Sequence, residues 1–471
     1  MQSTNTRIAA VLLCAALGGC AVENAPINVP YTGVTPTDPH NPPPQHQPVV
    51  VGLAFSGGGT RAAAFAFGVL KGLAATPSPD GDAALLGHVD FVSGVSGGSI
   101  TAAYFGYRGA DALGDFRERF LTQDVEAHLH TSPLDPANWL RWLEGGGVND
   151  RRGMQTWLDQ NLFDHQTFAA LERPDRPIVW INASDIYNHT PFAFDHETFD
   201  ALCSDLAQLP ISEAVAASAA VPVAFAPIVI KSYSGECRYQ TPAWVTKALA
   251  DATLPADLQS YAQAISNYHD LDAQRYVKLL DGGLVDNYGL AAITLRREEN
   301  ADTAYAPLTP EQAVSLRKLL FVLVDSGQST DNSWVMTPGG PVGLDLAMAA
   351  VNTPLEAAKH ASFDVFDKDI AAWHDKLVHW RCAMSSSDVL RLRGSLAGWK
   401  CDDVHFYIAP ISFALLDAPE RDRLSKLPTS LTLPTPDVDA LIAGGEEALS
   451  RAPQFQKFLA APGANVAMIA R

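Results

Sequence analysis

Short continuous runs of apolar residues alternate along the chain with segments in which apolar residues recur at helical spacing. Continuous runs bounded by glycine, proline or polar turn residues predict buried strands, here over 48–55, 178–183, 275–280, 319–324 and 403–411. Helical periodicity predicts the intervening helices and a long helical stretch from Gly343 to Trp380, which Pro354 is expected to divide in two. This alternation predicts an α/β fold.

The first predicted strand ends in three consecutive glycines, Gly57, Gly58 and Gly59, and Thr60 and Arg61 then lead into a helix. Glycines at this position expose backbone N–H groups, which is a geometry suited to a phosphate or an oxyanion. A Walker loop is excluded because no Gly-Lys-Ser/Thr follows, and the third spaced glycine of a dinucleotide fingerprint is missing. A plain glycine-rich turn is the alternative, but because a candidate serine nucleophile, Ser96, follows, the oxyanion interpretation is preferred.

Ser96 is the centre of a G-x-S-x-G pentapeptide, from Gly94 to Gly98, between a β-like run and a helix-like one. A tight strand-to-helix turn lifts the serine hydroxyl out of the sheet, and glycines on both sides permit the bend. The pentapeptide alone is weak, because glycine is common enough for chance occurrences. Its context makes Ser96 the candidate nucleophile.

Asp281 ends another predicted strand and is followed by Gly282 and Gly283. An acid at the carboxyl end of a strand lies at the sheet edge where α/β active sites assemble. Asp286 is interpreted as an exposed loop acid, and Asp325, which also ends a strand, is a weaker rival for the catalytic role.

These three motifs, in this order, resemble the patatin-like phospholipase family, whose pattern is a Gly-rich oxyanion loop, G-x-S-x-G and then D-G-G. The resemblance covers roughly residues 49–324. It implies a three-layer α/β/α sandwich with a mainly parallel central sheet and a serine lipid acyl hydrolase of phospholipase A or lysophospholipase type. It also implies a Ser96–Asp281 dyad, no metal or other cofactor, and a phospholipid or other acyl lipid as substrate. The implied oxyanion hole comprises Gly57, Gly58, Gly59 and Arg61, where Arg61 orients the loop or a lipid phosphate.

Two other functions remain open. An α/β-hydrolase with a Ser-His-Asp triad would need a histidine after Asp281, and four follow: His360, His374, His379 and His405. Each is interpreted as a surface or helix-packing residue, because none lies in a glycine-flanked loop after a strand. A lipoprotein that binds lipid or protein without catalysis is disfavoured by the intact glycines of all three loops.

The first 48 residues predict export and a lipid anchor. A weakly basic start and the apolar run 8–17 form a signal peptide over 1–19, since this run is too short to span a bilayer. Leu17-Gly18-Gly19-Cys20 resembles a bacterial lipobox, with an ordinary secretory signal as the alternative. No aspartate follows Cys20, which favours the outer membrane within the bacterial cell envelope. The proline-rich segment 20–48 predicts an extended tether.

Composition limits the partners. The net charge of −19 excludes a nucleic-acid partner and an electrostatic hold on an anionic membrane, so membrane contact must be apolar or covalent. Beyond Cys14 and Cys20, four cysteines remain, an even number suited to an oxidising compartment. The pairs favoured by sequence proximity are Cys203–Cys237 and Cys382–Cys401.

Two regions are assigned more coarsely. Trp139, Trp142 and Leu143 share one helical face, which is interpreted as core-facing, with a lipid-touching lid as the alternative. The domain division places the catalytic domain at 49–330. Residues 331–471 form a mainly helical extension, either a second domain or helices packed on the same sheet.

Overall fold

The architecture is taken from a computed structural model. It describes residues 24–31, 48–81, 83–129, 136–300, 302–327, 338–341 and 344–460. Predictions for Cys20 and for residues 1–19 fall outside the described residues.

Eight strands form one mixed sheet in the order β10-β9-β1-β2-β4-β8-β7, with β5 paired to β4, while β3 and β6 form a separate parallel pair. The five strands from β10 to β4 are parallel, and β8 runs antiparallel to both of its neighbours. The sheet is thus mainly parallel, as predicted. Its strands and the β3–β6 pair are β1 (Val49–Phe55), β2 (Val89–Val95), β3 (Gly147–Asn149), β4 (Ile178–Asp185), β5 (Thr190–Ala193), β6 (Val223–Phe225), β7 (Ile228–Lys231), β8 (Tyr276–Asp281), β9 (Lys318–Asp325) and β10 (His405–Ser412).

Helices of the described residues cover both faces of this sheet. They are α1 (Gly59–Ala75), α2 (Gly97–Arg108), α3 (Ala112–Phe116), α4 (Pro136–Gly145), α5 (Arg151–Asn161), α6 (His196–Ala201), α7 (Ile211–Ser218), α8 (Ala243–Ala250), α9 (Ala256–Tyr268), α10 (Ala291–Glu299), α11 (Pro310–Ser315), α12 (Leu344–Cys382), α13 (Ser386–Arg393), α14 (Ala418–Leu424), α15 (Thr435–Arg451) and α16 (Pro453–Ala460).

Two apolar cores lie on opposite faces of the sheet, because successive side chains of a strand point to opposite sides. Val51 and Leu53 of β1 belong to the core shared with α1 and α2. Val50 and Ala54 of the same strand belong to the other core, with Trp373 of α12. Burial on both faces explains why the strands are continuous apolar runs. The predicted α/β fold with a mainly parallel sheet between helical layers is confirmed.

The C-terminal region packs directly on this sheet. Strand β10 pairs in parallel with β9 along its whole length, from His405 opposite Lys318 to Ser412 opposite Asp325. Helix α15 lies so close to α1 that a Cβ atom at Gly68 would be 2.1 Å from the carbonyl oxygen of Ile442. Of the two arrangements that the sequence left open, packing on the same sheet is the one observed.

Helix α12 runs unbroken from Leu344 to Cys382, so the predicted division at Pro354 is wrong. A proline removes one backbone donor, but the hydrogen bonds of the other turns remain. In a helix of 39 residues they outweigh that single loss.

Part of the predicted tether is packed against the enzyme. The N–H of Ile27 donates to the carbonyl of Val229 at 3.0 Å, and Ile27 is buried. The side-chain amide of Asn28 donates to the carbonyl of Lys231 and accepts from its N–H, both at 2.8 Å. Residues 24–31 are therefore not part of an extended tether as predicted, because Asn28 hydrogen-bonds to backbone groups left open at the edge strand β7. Residues 32–47 lie outside the described part.

The interpretation of Trp139, Trp142 and Leu143 as core residues is wrong. They lie on α4 as predicted, but all three side chains are exposed. Asn138 is the buried neighbour on this helix, which shows that α4 contacts the enzyme through a different face.

Both favoured cysteine pairs are brought to bonding distance. The sulfur atoms of Cys203 and Cys237 are 2.18 Å apart, and those of Cys382 and Cys401 are 2.04 Å apart. Within the ranges given above, no helix has the length and apolar character needed to cross a bilayer.

Candidate active site

Ser96 lies in a tight turn between β2 and α2. Its backbone has φ 52° and ψ −124°, a conformation that L-residues rarely adopt. The N–H of Ser96 donates to the hydroxyl oxygen of Ser218 at 2.9 Å. Its carbonyl accepts the N–H and hydroxyl of Ser99 at 2.9 and 2.6 Å. These bonds fix the strained turn that the sequence predicts and present the hydroxyl at the end of the sheet.

Gly94 and Gly98 meet the requirement for close backbone approach at this turn. A Cβ atom at Gly94 would lie 2.7 Å from the Cα of Ser99, and one at Gly98 would lie 2.4 Å from the carbonyl oxygen of Phe55. A side chain at Gly94 would therefore clash with α2, and one at Gly98 would push the elbow away from β1.

The pairing register of β4, which lies between β2 and β8, brings Asp281 next to Ser96. Val95 pairs with Asn182, and the next residue of β4, Ala183, pairs with Asp281 on the other side. Because β8 is antiparallel to β4, its last residue stops at the level where β2 ends. The two side chains thus flank the same point of β4.

The hydroxyl of Ser96 faces the carboxyl of Asp281 closely enough to lower its pKa. The N–H of Gly283 donates to Oδ1 of the same carboxyl at 2.8 Å. Both side chains are nearly buried, with exposed fractions of 6% for Ser96 and 9% for Asp281. Burial nevertheless raises the pKa of Asp281 from 3.8 to about 6, against the opposing effects of Ser96 and the Gly283 N–H. A carboxylate with that pKa can accept a proton from serine at neutral pH.

The three-glycine loop packs directly on the elbow. A Cβ atom at Gly57 would be 3.2 Å from the Cβ of Ser96, and one at Gly97 would be 2.0 Å from the carbonyl oxygen of Gly59. The N–H of Gly57 already donates to the carbonyl of Asn287 at 3.2 Å. Within the predicted oxyanion set of Gly57, Gly58, Gly59 and Arg61, the N–H of Gly57 is thus already bonded within the loop, and the oxyanion role of the set stays a prediction.

Arg61 holds the loop from behind. Its guanidinium is buried and donates to the carbonyls of Ser326 at 2.9 Å and Leu427 at 2.6 Å. The N–H of Thr60 donates to the carbonyl of Ser430 at 2.8 Å. These contacts fit the loop-orienting role considered for Arg61, and they make residues 427–430 of the C-terminal region part of the support for the site.

A family model described as patatin-like phospholipase matches residues 53–293, a little over half of the chain. The chain belongs to the patatin-like phospholipase family. The match contains all three motifs from which the resemblance was drawn.

Two solved structures are similar to this chain at low sequence identity. Human GIVD cytosolic phospholipase A2 is 13% identical with a TM-score of 0.30, and the match covers 58% of this chain and 45% of that one. VipD from Legionella pneumophila is 12% identical with a TM-score of 0.33, covering 93% of this chain and 71% of that one. The chain thus spans less than half the length of the human enzyme. No curated protein matches it.

Neither rival acid is placed like Asp281 in this patatin-like site. Asp286 is buried, contrary to the expectation of an exposed loop acid, and it accepts N–H bonds from Tyr288, Gly289 and Ala291. Its carboxylate organises the turn into α10. Asp325 accepts the hydroxyl of Tyr288 at 3.2 Å, and its strand β9 is separated from β2 by β1.

The candidate triad histidines belong to α12 and β10. His405 begins β10 and pairs with the first residue of β9, at the end of the sheet opposite Ser96. The ring of His374 contacts the carbonyl of Val404 at 3.0 Å, and His374 and His405 line a cavity of about 450 Å³. His379 lies in the last turn of α12, and the side chain of His360 lies outside the described part.

Two residues of the site carry little signal in the sequence. Ser218 joins the strands through its hydroxyl, which accepts from the N–H of Ser96 and donates to the carbonyl of Asn182 at 2.6 Å. The side-chain amide of Asn182 donates to the hydroxyl of Ser93 at 2.8 Å. Ser218 lies in the Ala-Ser-Ala-Ala-Val-Pro segment at 217–222, but the sequence does not show that its hydroxyl bonds to Ser96.

Proposed function

We propose that this chain is a serine lipid acyl hydrolase of phospholipase A or lysophospholipase type, acting through a Ser96–Asp281 dyad. The observation that carries the proposal is the placement of the buried Asp281 carboxyl next to the Ser96 hydroxyl at a strained elbow, set by the register of β4. Membership of the patatin-like phospholipase family supports a lipid ester as substrate.

In the first half-reaction, Ser96 Oγ attacks the ester carbonyl carbon while its proton passes to Asp281. The backbone amides of Gly58 and Gly59 stabilise the tetrahedral oxyanion in this proposal, because their loop packs on the elbow through Gly57 and Gly59. Breaking the ester C–O bond releases the alcohol, which takes the proton from Asp281. Water then attacks the acyl-enzyme, giving a proton to Asp281, and collapse releases the fatty acid and returns the proton to Ser96.

A fluorophosphonate probe and a short-chain soluble ester test this function. We expect the wild type to be labelled and Ser96→Ala to be neither labelled nor active. Asp281→Asn should lower kcat by about 10²–10⁴-fold, the usual contribution of a general base. Labelling that persists in Ser96→Ala would refute the nucleophile, and full activity in Asp281→Asn would refute the dyad. Replacing His360, His374, His379 and His405 singly by alanine tests the triad alternative, and a collapse of turnover at one of them would favour it.

We also propose that the protein is a lipid-anchored component of the bacterial cell envelope. The support is the lipobox-like sequence ending at Cys20. Incorporation of a labelled fatty acid in the producing bacterium, abolished by Cys20→Ser, is the expected result. An unlabelled, fully secreted protein would indicate the ordinary secretory signal instead.

A further inference from the structure

Helix α4 presents a cluster of large apolar side chains to solvent. Trp139, Trp142 and Leu143 have exposed fractions of 59%, 38% and 72%. The two indole rings contact edge to face, with centroids 6.4 Å apart and planes at 89°. Tryptophan combines a large apolar ring with an N–H donor, so it partitions to the boundary between water and lipid.

This cluster is tied to the active site through the β3–β6 pair. Helix α4 is followed directly by β3, in which Gly147 pairs with Val223 of β6. Val223 comes three residues after Ala220, whose carbonyl accepts the N–H of Asp281 at 2.8 Å. Three residues span at most about 11 Å. The exposed apolar surface therefore begins within about 11 Å of the backbone that holds the candidate base.

Val223, whose strand pairs with Gly147 just after α4, is also exposed, with an exposed fraction of 44%. Its φ of 73° is rare for a β-branched residue, so the surrounding structure must impose it. Asn149 fixes the backbone that follows Val223, because its side-chain amide donates to the carbonyl of Ala224 at 3.0 Å and its backbone carbonyl accepts the N–H of Ala226 at 2.8 Å. An apolar side chain is thus held outward at an energetic cost.

We infer that Trp139, Trp142, Leu143 and Val223, here named the apolar face, insert into the surface of the lipid aggregate that holds the substrate. This inference rests on the proposed function. The occupant we commit to is a zwitterionic lipid surface, because a chain with a net charge of −19 is repelled by anionic lipid. Contact at this face would place the lipid boundary beside Ser96 and Asp281, where an ester must arrive.

The test measures binding of the full chain to phosphatidylcholine vesicles by flotation. A Cys20→Ser, Ser96→Ala background removes the acyl anchor and prevents hydrolysis of the vesicles. In this background we expect Trp139→Ala/Trp142→Ala to weaken binding by at least about tenfold, from the apolar area lost. Leu143→Ser should also weaken it, whereas Leu390→Ser, at a half-exposed helical leucine on α13, should not. Binding should persist in high salt and should not increase with phosphatidylglycerol.

The same apolar-face variants, made with Ser96 intact, separate this inference from the proposed function. Hydrolysis of a soluble short-chain ester should be unchanged, while hydrolysis of vesicle lipid falls in parallel with binding. Equal flotation of the Leu143→Ser and Leu390→Ser proteins would overturn the inference, even with the esterase intact. The inference would also be overturned if the protein were a dimer that these substitutions convert to a monomer while flotation stays unchanged. Failure of fluorophosphonate labelling would instead overturn the proposed function and leave the binding result intact.

Discussion

The burial of the Asp281 carboxyl predicts how catalytic activity depends on pH. Its pKa is raised from 3.8 to about 6 by burial, and only the ionised form can take the proton of Ser96. The active fraction is therefore high above pH 6 and falls about tenfold for each unit below it. We expect kcat/KM for an uncharged soluble ester to be nearly constant from about pH 7 to 8 and to drop about tenfold between about pH 7 and 5.

The raised pKa of Asp281 also affects folding stability, but with the opposite pH dependence: activity increases with pH, whereas the contribution of Asp281 to stability decreases. A raised pKa means that the folded state binds the proton more tightly than the unfolded state, so Asp281 favours folding most at low pH. That contribution is lost as the pH rises from about 4 through about 6. A shift of this size corresponds to about 3 kcal/mol. Asp281→Asn should therefore raise the free energy of unfolding at about pH 8 by up to about 3 kcal/mol and have little effect at about pH 4.

Two measurements check this reasoning: a pH profile of kcat/KM on a soluble ester, and urea unfolding of the wild type and Asp281→Asn at about pH 4 and about pH 8. Asp286→Asn is a matched control, because Asp286 is another buried acid with a raised pKa, but it binds backbone amides instead of Ser96. It should destabilise the protein through those lost bonds and leave the apparent pKa of catalysis in place. Activity that stays flat down to about pH 4, or an Asp281→Asn protein that is less stable at about pH 8, would refute the account.

Three further substitutions probe the supports of the site. Gly59→Ala should lower kcat/KM by more than about 100-fold, the scale of a lost oxyanion contact, because its Cβ would lie 2.3 Å from the carbonyl oxygen of Ser430 at a φ of +60°; a near-normal rate would contradict the close packing of this loop. Arg61→Met should reduce kcat and lower the midpoint of thermal unfolding, since two backbone carbonyls lose a charged donor; the exposed Arg391→Met is its control, and equal effects in both would count against the loop-orienting role. Ser218→Ala should lower kcat about tenfold with little change in KM, because the N–H of Ser96 loses its acceptor; a change confined to KM would mean that Ser218 acts on substrate binding.

Much of the fold and the central residues of the site followed from local pattern. The apolar runs around residues 49–55 and 318–325 predict buried strands because a strand covered on both faces has no polar side. The glycines around Ser96 indicate the elbow because a Cβ atom at Gly94 or Gly98 would lie only 2.7 or 2.4 Å from neighbouring backbone atoms. In both cases the chemistry is contained within a few consecutive residues.

The errors arose where distant segments decide the outcome. The periodicity of α4 is real, but which face a helix buries depends on what packs against it, and Trp139 faces solvent. Local sequence predicts an exposed Asp286 because loop acids usually are, yet three backbone amides donate to it and it is buried. The prolines of 20–48 suggested a tether, whereas Ile27 and Asn28 pair with β7, which is far away along the chain.

The sequence by itself determined the α/β class, the elbow, the glycine loop and the candidate pair Ser96 and Asp281, because each is written in a short motif with its own steric or chemical requirement. Only the tertiary structure decided that Asp281 meets Ser96, since this depends on the antiparallel register of β8 against β4. It alone decided that Gly57 is already hydrogen-bonded, that Ser430 supports the loop, and that an apolar face lies outward beside the site. Register, burial and long-range pairing are properties of segments brought together by folding, and no local pattern contains them.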